Sequence, residues 1–366
     1  MLNFIHGPKF SIPSEYPCAW RKFVAVDLLT FTDKGIYCAA ADVYLDPWRG
    51  VERALITHAH SDHARWGSQY YLAHEHSAPA LYLRLGKQIQ LQTVAYKEPV
   101  YINGVQFSFH PAGHIIGSSQ IRVEYKGEVW VFTGDYKLEN DGFSTPFETV
   151  KCHTFITEST FGLPVYRWKP QSDIFRDIRF WWESNAAEGV CSIISAYSLG
   201  KAQRLLTHLA GDSGPIYTHT VIHAMHEALR SAGMTLPYTE KLESIKDPEH
   251  LRKALIIIPP SAAGSAALRK LEPVSEAVAS GWMSIRGARR RNTIDRGFAL
   301  SDHADWTALN KAVEASGASK VFVTHGYTEA FSAYLREKGL DARVARTAYN
   351  AELDDSSPEE KKLPEV

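Results

Sequence analysis

The segment "LITHAHSDHARWGS", residues 55 to 68, sets His58, His60, Asp62 and His63 within six positions, directly after the apolar run Ala54–Leu55–Ile56. A strand ending at Thr57 delivers these side chains to a loop at a sheet edge, with Asp62 and His63 where a helix can begin. Residues i and i+2 of an extended stretch point the same way, so His58 and His60 can grip one cation while Asp62 and His63 face a second. Structural zinc sites close their shell with four cysteine or histidine ligands. A His/Asp mixture instead leaves positions for water and implies catalysis. The plain alternative is a solvated polar turn, and three histidines at this spacing weigh against it.

Two ions need more ligands than one loop carries. "PAGHIIGSSQ" presents His114 between glycines, "VWVFTGDYK" ends an apolar run on Asp135, and "KVFVTHGYT" ends another on His325. Taken singly, each reads equally well as a packed histidine or a turn-forming aspartate. Taken with the first loop, they complete a pair of sites: His58, His60 and His114 for one cation, Asp62, His63 and His325 for the other, and Asp135 joining both. Zinc suits this set, with manganese as the second candidate.

The elements that must position these residues are short. Over the first 160 or so residues, β-rich runs such as "ALITH", "QYYLAH", "PVYINGVQFSFHPAG", "SSQIRVEYKGEVWVFTGD" and "HTFITEST" alternate with turn signals. Val105, Phe107 and Phe109 share one face, as do Ile121, Val123 and Tyr125. From about residue 172, longer helical patterns alternate with apolar strands, as in "DIFRDIRFWWESNAAEG" then "VCSIISAYS", which signals βα units. "MSIRGARRRNTIDRGFALS" reads as strands around a basic turn. The expected class is α/β: a β-rich domain begun by residues 1–171, an inserted α/β domain over 172–298, a return segment over 299–352, and a flexible tail over 353–366.

Composition sets the surroundings. The 366 residues are 45% hydrophobic and 22% charged with a net charge of −1, so a large core is available and global charge announces neither a nucleic-acid nor a membrane partner. Four scattered cysteines fit reduced thiols, and neither a signal peptide nor a spanning segment is legible, so a cytoplasmic location is expected.

The motifs "THAHSDH", "AGHIIGS", "FTGDY", "TEST" with Glu158, "LSDHADW" with His303 and "VTHGYTEAF" with His325 resemble, in order, those of the metallo-β-lactamase superfamily. Within it the match is to the β-CASP nucleases, which include Artemis, ribonuclease J and the pre-mRNA 3′-end endonuclease. The chain looks most like the bacterial ligase-associated DNA exonucleases. The resemblance implies an αββα sandwich carrying an inserted β-CASP domain, two bound metals, and phosphodiester hydrolysis with Asp62, Glu158 and His303 as catalytic residues. In that reading His303 protonates the leaving sugar oxygen and Glu158 orients it. The family's early aspartate, which braces the metal loop, falls on Asp42, with Asp46 and Asp27 nearby.

DNA is the favoured partner over RNA, in a repair setting with a ligase and helicase. "SAYSLGKAQRLL" places Ser198 and Lys201 where a strand meets a helix amino terminus, a seat for phosphate. Arg289, Arg290 and Arg291 form a local basic patch suited to backbone contact. Three tempting groups are read as structural instead: His219, His223 and His226 on one helical face, the pair His74 and His76, and Trp181 with Trp182.

Overall fold

The computed structural model describes residues 27–345 and 347, apart from 212, 246–247, 266–267, 269 and 286–293. The expected tail and the Arg289–Arg291 patch lie outside the described residues. The chain forms a mixed α/β fold with three sheets.

The first sheet runs in sequence order: β1 (Thr30–Phe31), β2 (Ile36–Cys38), β3 (Val43–Leu45), β4 (Arg53–Ile56), β5 (Tyr70–His74) and β6 (Gln90–Val94), the last two bridged by α1 (Ala78–Leu85). Its pairing is antiparallel as far as β3 and parallel from β3 onward. The second sheet starts as an antiparallel meander of β7 (Val100–Ile102), β8 (Val105–Pro111), β9 (Ser119–Tyr125) and β10 (Glu128–Phe132), then adds β11 (Thr154–Ser159) parallel to β10. Val105, Phe107, Phe109, Ile121 and Val123 point inward with Leu45, Leu55 and Leu72 of the first sheet, so the two sheets share one core. Each such side chain contributes roughly 1.5–3 kcal/mol of burial.

After β11 the chain enters α2 (Gln171–Ala187) and a six-stranded, wholly parallel sheet. Its strands are β12 (Cys191–Ser195), β13 (Ile216–Thr218), β14 (Glu240–Lys241), β15 (Leu255–Ile258), β16 (Val274–Ala279) and β17 (Arg296–Phe298), in spatial order β14-β13-β15-β12-β16-β17. Strand β12 is buried throughout, as a parallel sheet covered on both faces requires. Helices α3 (Lys201–Leu209) and α4 (Thr220–Ser231) accompany it. Trp181 and Trp182 pack in this core, their indoles donating to Ser275 Oγ (3.1 Å) and the Lys253 carbonyl (3.0 Å).

The chain then returns through α5 (Trp306–Ser316), β18 (Lys320–Gly326), α6 (Thr328–Glu337) and β19 (Asp341–Val344). Strand β18 joins the second sheet beside β11, and α5 and α6 cover that sheet's outer face. Helices α1 and α4 lie against the outer face of the first sheet. The layers are helix, sheet, sheet, helix, with the third sheet alongside.

The start of one expected strand is not extended among the described residues. Residues Gly281–Ser284 form a 3-10 turn whose Ser280 cap accepts from the Trp282 amide, and only Arg296–Phe298 of the basic stretch is extended among the described residues. Gly281 is seated where a Cβ would stand 2.4 Å from the Phe161 ring, so this corner is closed by packing rather than by pairing.

Candidate metal centre

Every side chain of the centre comes from the carboxyl end of a strand or the loop beyond it. After β4 the chain turns at 57–64, closed by the His63 and Ala64 amides bonding back to the His60 carbonyl (3.2 and 2.8 Å). This is a turn, where the residue pattern suggested the start of a helix. The loop after β8 presents His114, with its amide held by Ser118 Oγ (3.0 Å). The loop after β10 presents Asp135. Gly134 before it has φ +55°, and a Cβ there would stand 2.6 Å from Thr57 Oγ1, so only glycine lets the two loops meet. Glu158 lies near the end of β11, His303 between β17 and α5, and His325 near the end of β18 at φ 53°.

The His58 and His60 rings meet His114 with Nε2, Nδ1 and Nε2 facing one another: His58 to His60 is 3.2 Å and His114 to His60 is 3.1 Å. Asp135 Oδ2 stands 3.6 Å from His58 and 3.9 Å from His114. Around the same carboxylate, His63 Nε2 lies 3.4 Å from Asp135 and 3.5 Å from Asp62, and the His63 and His325 rings stack at 4.9 Å. Ligand atoms of His58, His60, His114 and Asp135 form one compact group, and those of His63, Asp135 and His325 another.

The outward hydrogen bonds say what these nitrogens carry. His60 Nε2 faces the Leu199 carbonyl (3.1 Å) and His114 Nδ1 the Asp302 carbonyl (2.8 Å); a carbonyl only accepts, so both nitrogens bear protons. The Thr57 hydroxyl donates to Asp46 and so accepts from His58 Nδ1 (3.1 Å). With those protons placed outward, the neutral rings turn three bare lone pairs toward one point. Bare acceptors about 3 Å apart repel unless a cation stands between them. Zinc–nitrogen bonds of about 2.0–2.1 Å in a tetrahedron space neighbouring ligand atoms about 3.3 Å apart, close to what is found. Asp135 Oδ1 is buried and accepts no hydrogen bond among the described residues, which leaves it for a metal. The donor set fits divalent metal ions.

Electrostatics agree at His58 and His114, whereas at His63 burial pulls downward but the Asp135 and Asp62 carboxylates raise the ring well above the usual imidazole range. Burial, and then the neighbouring His63, hold His58 well below the usual imidazole range. Burial, with His303 and His60 next, takes His114 to about 3, so both stay neutral and able to ligate. For His303 burial also pulls downward, but the Glu158, Asp135 and Asp302 carboxylates together outweigh it, Glu158 most of all, and hold the imidazole at about 9. Its Nδ1 lies 3.0 Å from Glu158 Oε2, and Glu158 is itself anchored by the Tyr136 amide (2.7 Å).

The brace is Asp46 rather than Asp42. Strands β3 and β4 are parallel, so the residue after β3 meets the residue after β4, and Asp46 accepts from the Thr57 amide (2.7 Å), the Thr57 hydroxyl and His63 Nδ1 (2.7 Å). Asp42 precedes β3 at the opposite end, exposed and bonded to the Tyr37 hydroxyl (2.8 Å). Asp27 pairs with Lys320 (2.6 Å).

Lys201 is also placed differently from expectation. It is buried, its ammonium 3.7 Å from Asp302 Oδ2, with Arg204 3.0 Å from the other oxygen. The amide of Gly200 is taken by Gln203 Oε1 (2.7 Å), so no open phosphate seat is formed there. Ser198 is half-buried on the loop whose Leu199 carbonyl holds His60. Sequence reasoning missed Thr57, Asp302 and Arg204, because the contacts that give them a role join separate segments of the chain.

The residues set aside do structural work: His74 stacks on Tyr96 at 3.5 Å, His226 bonds the Pro237 carbonyl (2.7 Å), and His219 caps α4. Among the described residues no helix is long and apolar enough to cross a membrane.

No protein-family profile matches the chain. A probable DNA ligase of Opitutus terrae is 30% identical over 311 residues, 84% of this chain and 30% of that protein. Endoribonuclease YSH1 of Saccharomyces cerevisiae is 29% identical over 119 residues, 32% of this chain and 15% of that protein. Cleavage and polyadenylation specificity factor subunit 3-I of Arabidopsis thaliana is 31% identical over 121 residues, 32% of this chain and 17% of that protein. The chain thus spans less than a third of the length of each. Among solved structures, a protein of unknown function from Enterococcus faecalis V583 superposes with a TM-score of 0.52 at 11% identity, covering 75% of this chain and 77% of that one.

Proposed function

The chain is a homologue of the metallo-β-lactamase/β-CASP nucleases, and from that premise we propose that it is a two-metal phosphodiesterase, a DNA exonuclease acting in repair. The observation that carries the reading is the convergence of three imidazole lone pairs on Asp135. In the same reading, the two facing sheets with their covering helices are the metallo-β-lactamase sandwich, residues 172–298 are the inserted β-CASP domain, and the location is cytoplasmic.

His58, His60, His114 and Asp135 would hold one cation, and Asp62, His63, His325 and Asp135 the other. Bound divalent ions, zinc or manganese, supply Lewis acidity that activates water and draws charge from a phosphate. The protein's own side chains do the rest. Asp46 and Thr57 keep His63 and His58 in the tautomers that face inward. His303, protonated at neutral pH beside Glu158, stands within 4.0 Å of Asp135 and can give its proton to a departing sugar oxygen. Ser198, on the loop whose Leu199 carbonyl holds His60, and Arg289, Arg290 and Arg291 would contact the nucleic-acid backbone.

Support for DNA is the similarity to a protein named as a probable DNA ligase over most of this chain. A second reading, an RNA-processing nuclease, is favoured by the shorter matches to proteins named as an endoribonuclease and a polyadenylation factor. End-labelled DNA and RNA strands of one sequence, incubated in parallel with and without a chelator, distinguish them. Chelator-sensitive shortening of DNA from one end is the expected result. Internal cuts in RNA alone replace the first reading with the second, and intact strands in every lane reject both.

A further inference from the structure

The loop after β11 reads "FGLPVYRWK", residues 161 to 169. Phe161 and Tyr166 are fully buried and form the floor of an aromatic cluster. The Phe161 ring lies 4.9 Å from Tyr166, 4.7 Å from Trp168, 4.8 Å from Trp282 and 6.0 Å from His303. Tyr327 adds a further ring 5.8 Å from Tyr166 and 6.5 Å from Trp282. Trp168, Trp282 and Tyr327, the outer three, are each only partly buried.

The floor accounts for the packing; three large rings left partly open to water beside a site are what remains to be explained. They come from the carboxyl ends of three strands, β11, β16 and β18, two in the second sheet and one in the third, so they lie where those two sheets meet. The wall is continuous with the proton donor, because Trp168 Nε1 donates to the His303 carbonyl (2.9 Å). Arg167 and Lys169, on either side of Trp168, are exposed and make no ion pair among the described residues. Planar apolar faces alternating with unpaired cations match the alternation of bases and phosphates in a single strand.

We propose that Trp168, Trp282 and Tyr327 form a stacking wall for an unpaired base adjoining the phosphate presented to His303. This rests on the nuclease reading above. A base inside a duplex cannot use the wall, since both of its faces are already stacked on neighbouring pairs.

The test is anisotropy of a labelled, hydrolysis-resistant phosphorothioate DNA strand in which one abasic position is moved along the sequence. Wild-type protein is expected to lose roughly five- to hundredfold in affinity at one or two positions. Trp282→Leu is expected to bind the intact strand more weakly by a similar factor and to ignore the abasic position, with Trp282→Phe restoring both. The wild-type scan does not depend on a variant folding. An abasic scan without effect, undiminished discrimination in Trp282→Leu, or duplex bound as tightly as single strand would overturn the wall. Cleavage of native strands is scored separately: abasic-sensitive binding without metal-dependent cleavage keeps the wall and rejects the nuclease, while cleavage without abasic sensitivity does the reverse.

Discussion

Replacing Asp46 by asparagine separates the metal brace from the fold. The carboxylate is buried and accepts three hydrogen bonds, from the Thr57 amide, the Thr57 hydroxyl and His63 Nδ1. Asparagine has the same shape, but one of its two atoms only donates. With its oxygen kept on the Thr57 amide, its NH2 faces the Thr57 hydroxyl, which can rotate, and His63 Nδ1, which cannot. The ring is relieved by shifting its proton to Nε2, the atom that faces Asp62 and Asp135. A proton there blocks a metal. Losing a charge-assisted bond costs about 1.5–3 kcal/mol, and metal affinity should fall ten- to hundredfold, as for other residues that orient ligands. Asp46→Ala should cost more in stability, because it strands two buried donors and leaves alanine at φ 41°. Asp42→Asn is the control: exposed and tolerant of positive φ, it should change stability by less than about 1 kcal/mol and leave metal binding alone. Competition with a chromophoric chelator reads the metal, and urea unfolding of metal-free protein reads the fold. Asp46→Asn binding both ions as tightly as wild type, or Asp42→Asn losing as much as Asp46→Asn, would refute the tautomer argument.

Glu158→Gln removes the largest of the charges that hold His303 at about 9, so the titration seen by NMR in metal-free protein should move to lower pH, carrying the basic limb of any activity profile with it. Because the folded value is raised above the unfolded one, the stability from this pair is fully present below about pH 6.5 and fades as pH rises through about 9, which urea unfolding across that window checks. Asp302→Asn leaves Lys201 and Arg204 buried without their counter-charge, and a loss of about 3–5 kcal/mol is expected in the same assay. Burial raises Asp302, but Lys201 and Arg204 outweigh it and hold the carboxyl at about 2, so this contribution is present above about pH 3.8 and is lost as pH falls toward 2. Dialysis against a chelator should release two equivalents of divalent metal per chain by elemental analysis; one equivalent would dissolve the second site.

Much of the centre was legible because its chemistry restricts residue types. His58, His60, Asp62, His63, His114, Asp135 and His325 each follow an apolar run, and parallel strands gather their carboxyl ends on one side, so reading strand ends was enough to collect them. The alternation in β8 and β9 likewise announced an inward face. Local pattern could not reach the 3-10 turn at Gly281–Ser284, packed against Phe161, nor the placement of Lys201, whose buried counter-charge lies on a segment a hundred residues later.

The amino-acid order alone determined which side chains could bind a cation, since a ligand's identity and its place at a strand terminus are local properties. Which aspartate steadies the loop, which ring nitrogen carries its proton, and which aromatic rings stand beside His303 were decided only when distant strands paired. Register and strand direction set those contacts, and neither is written in any single segment of chain.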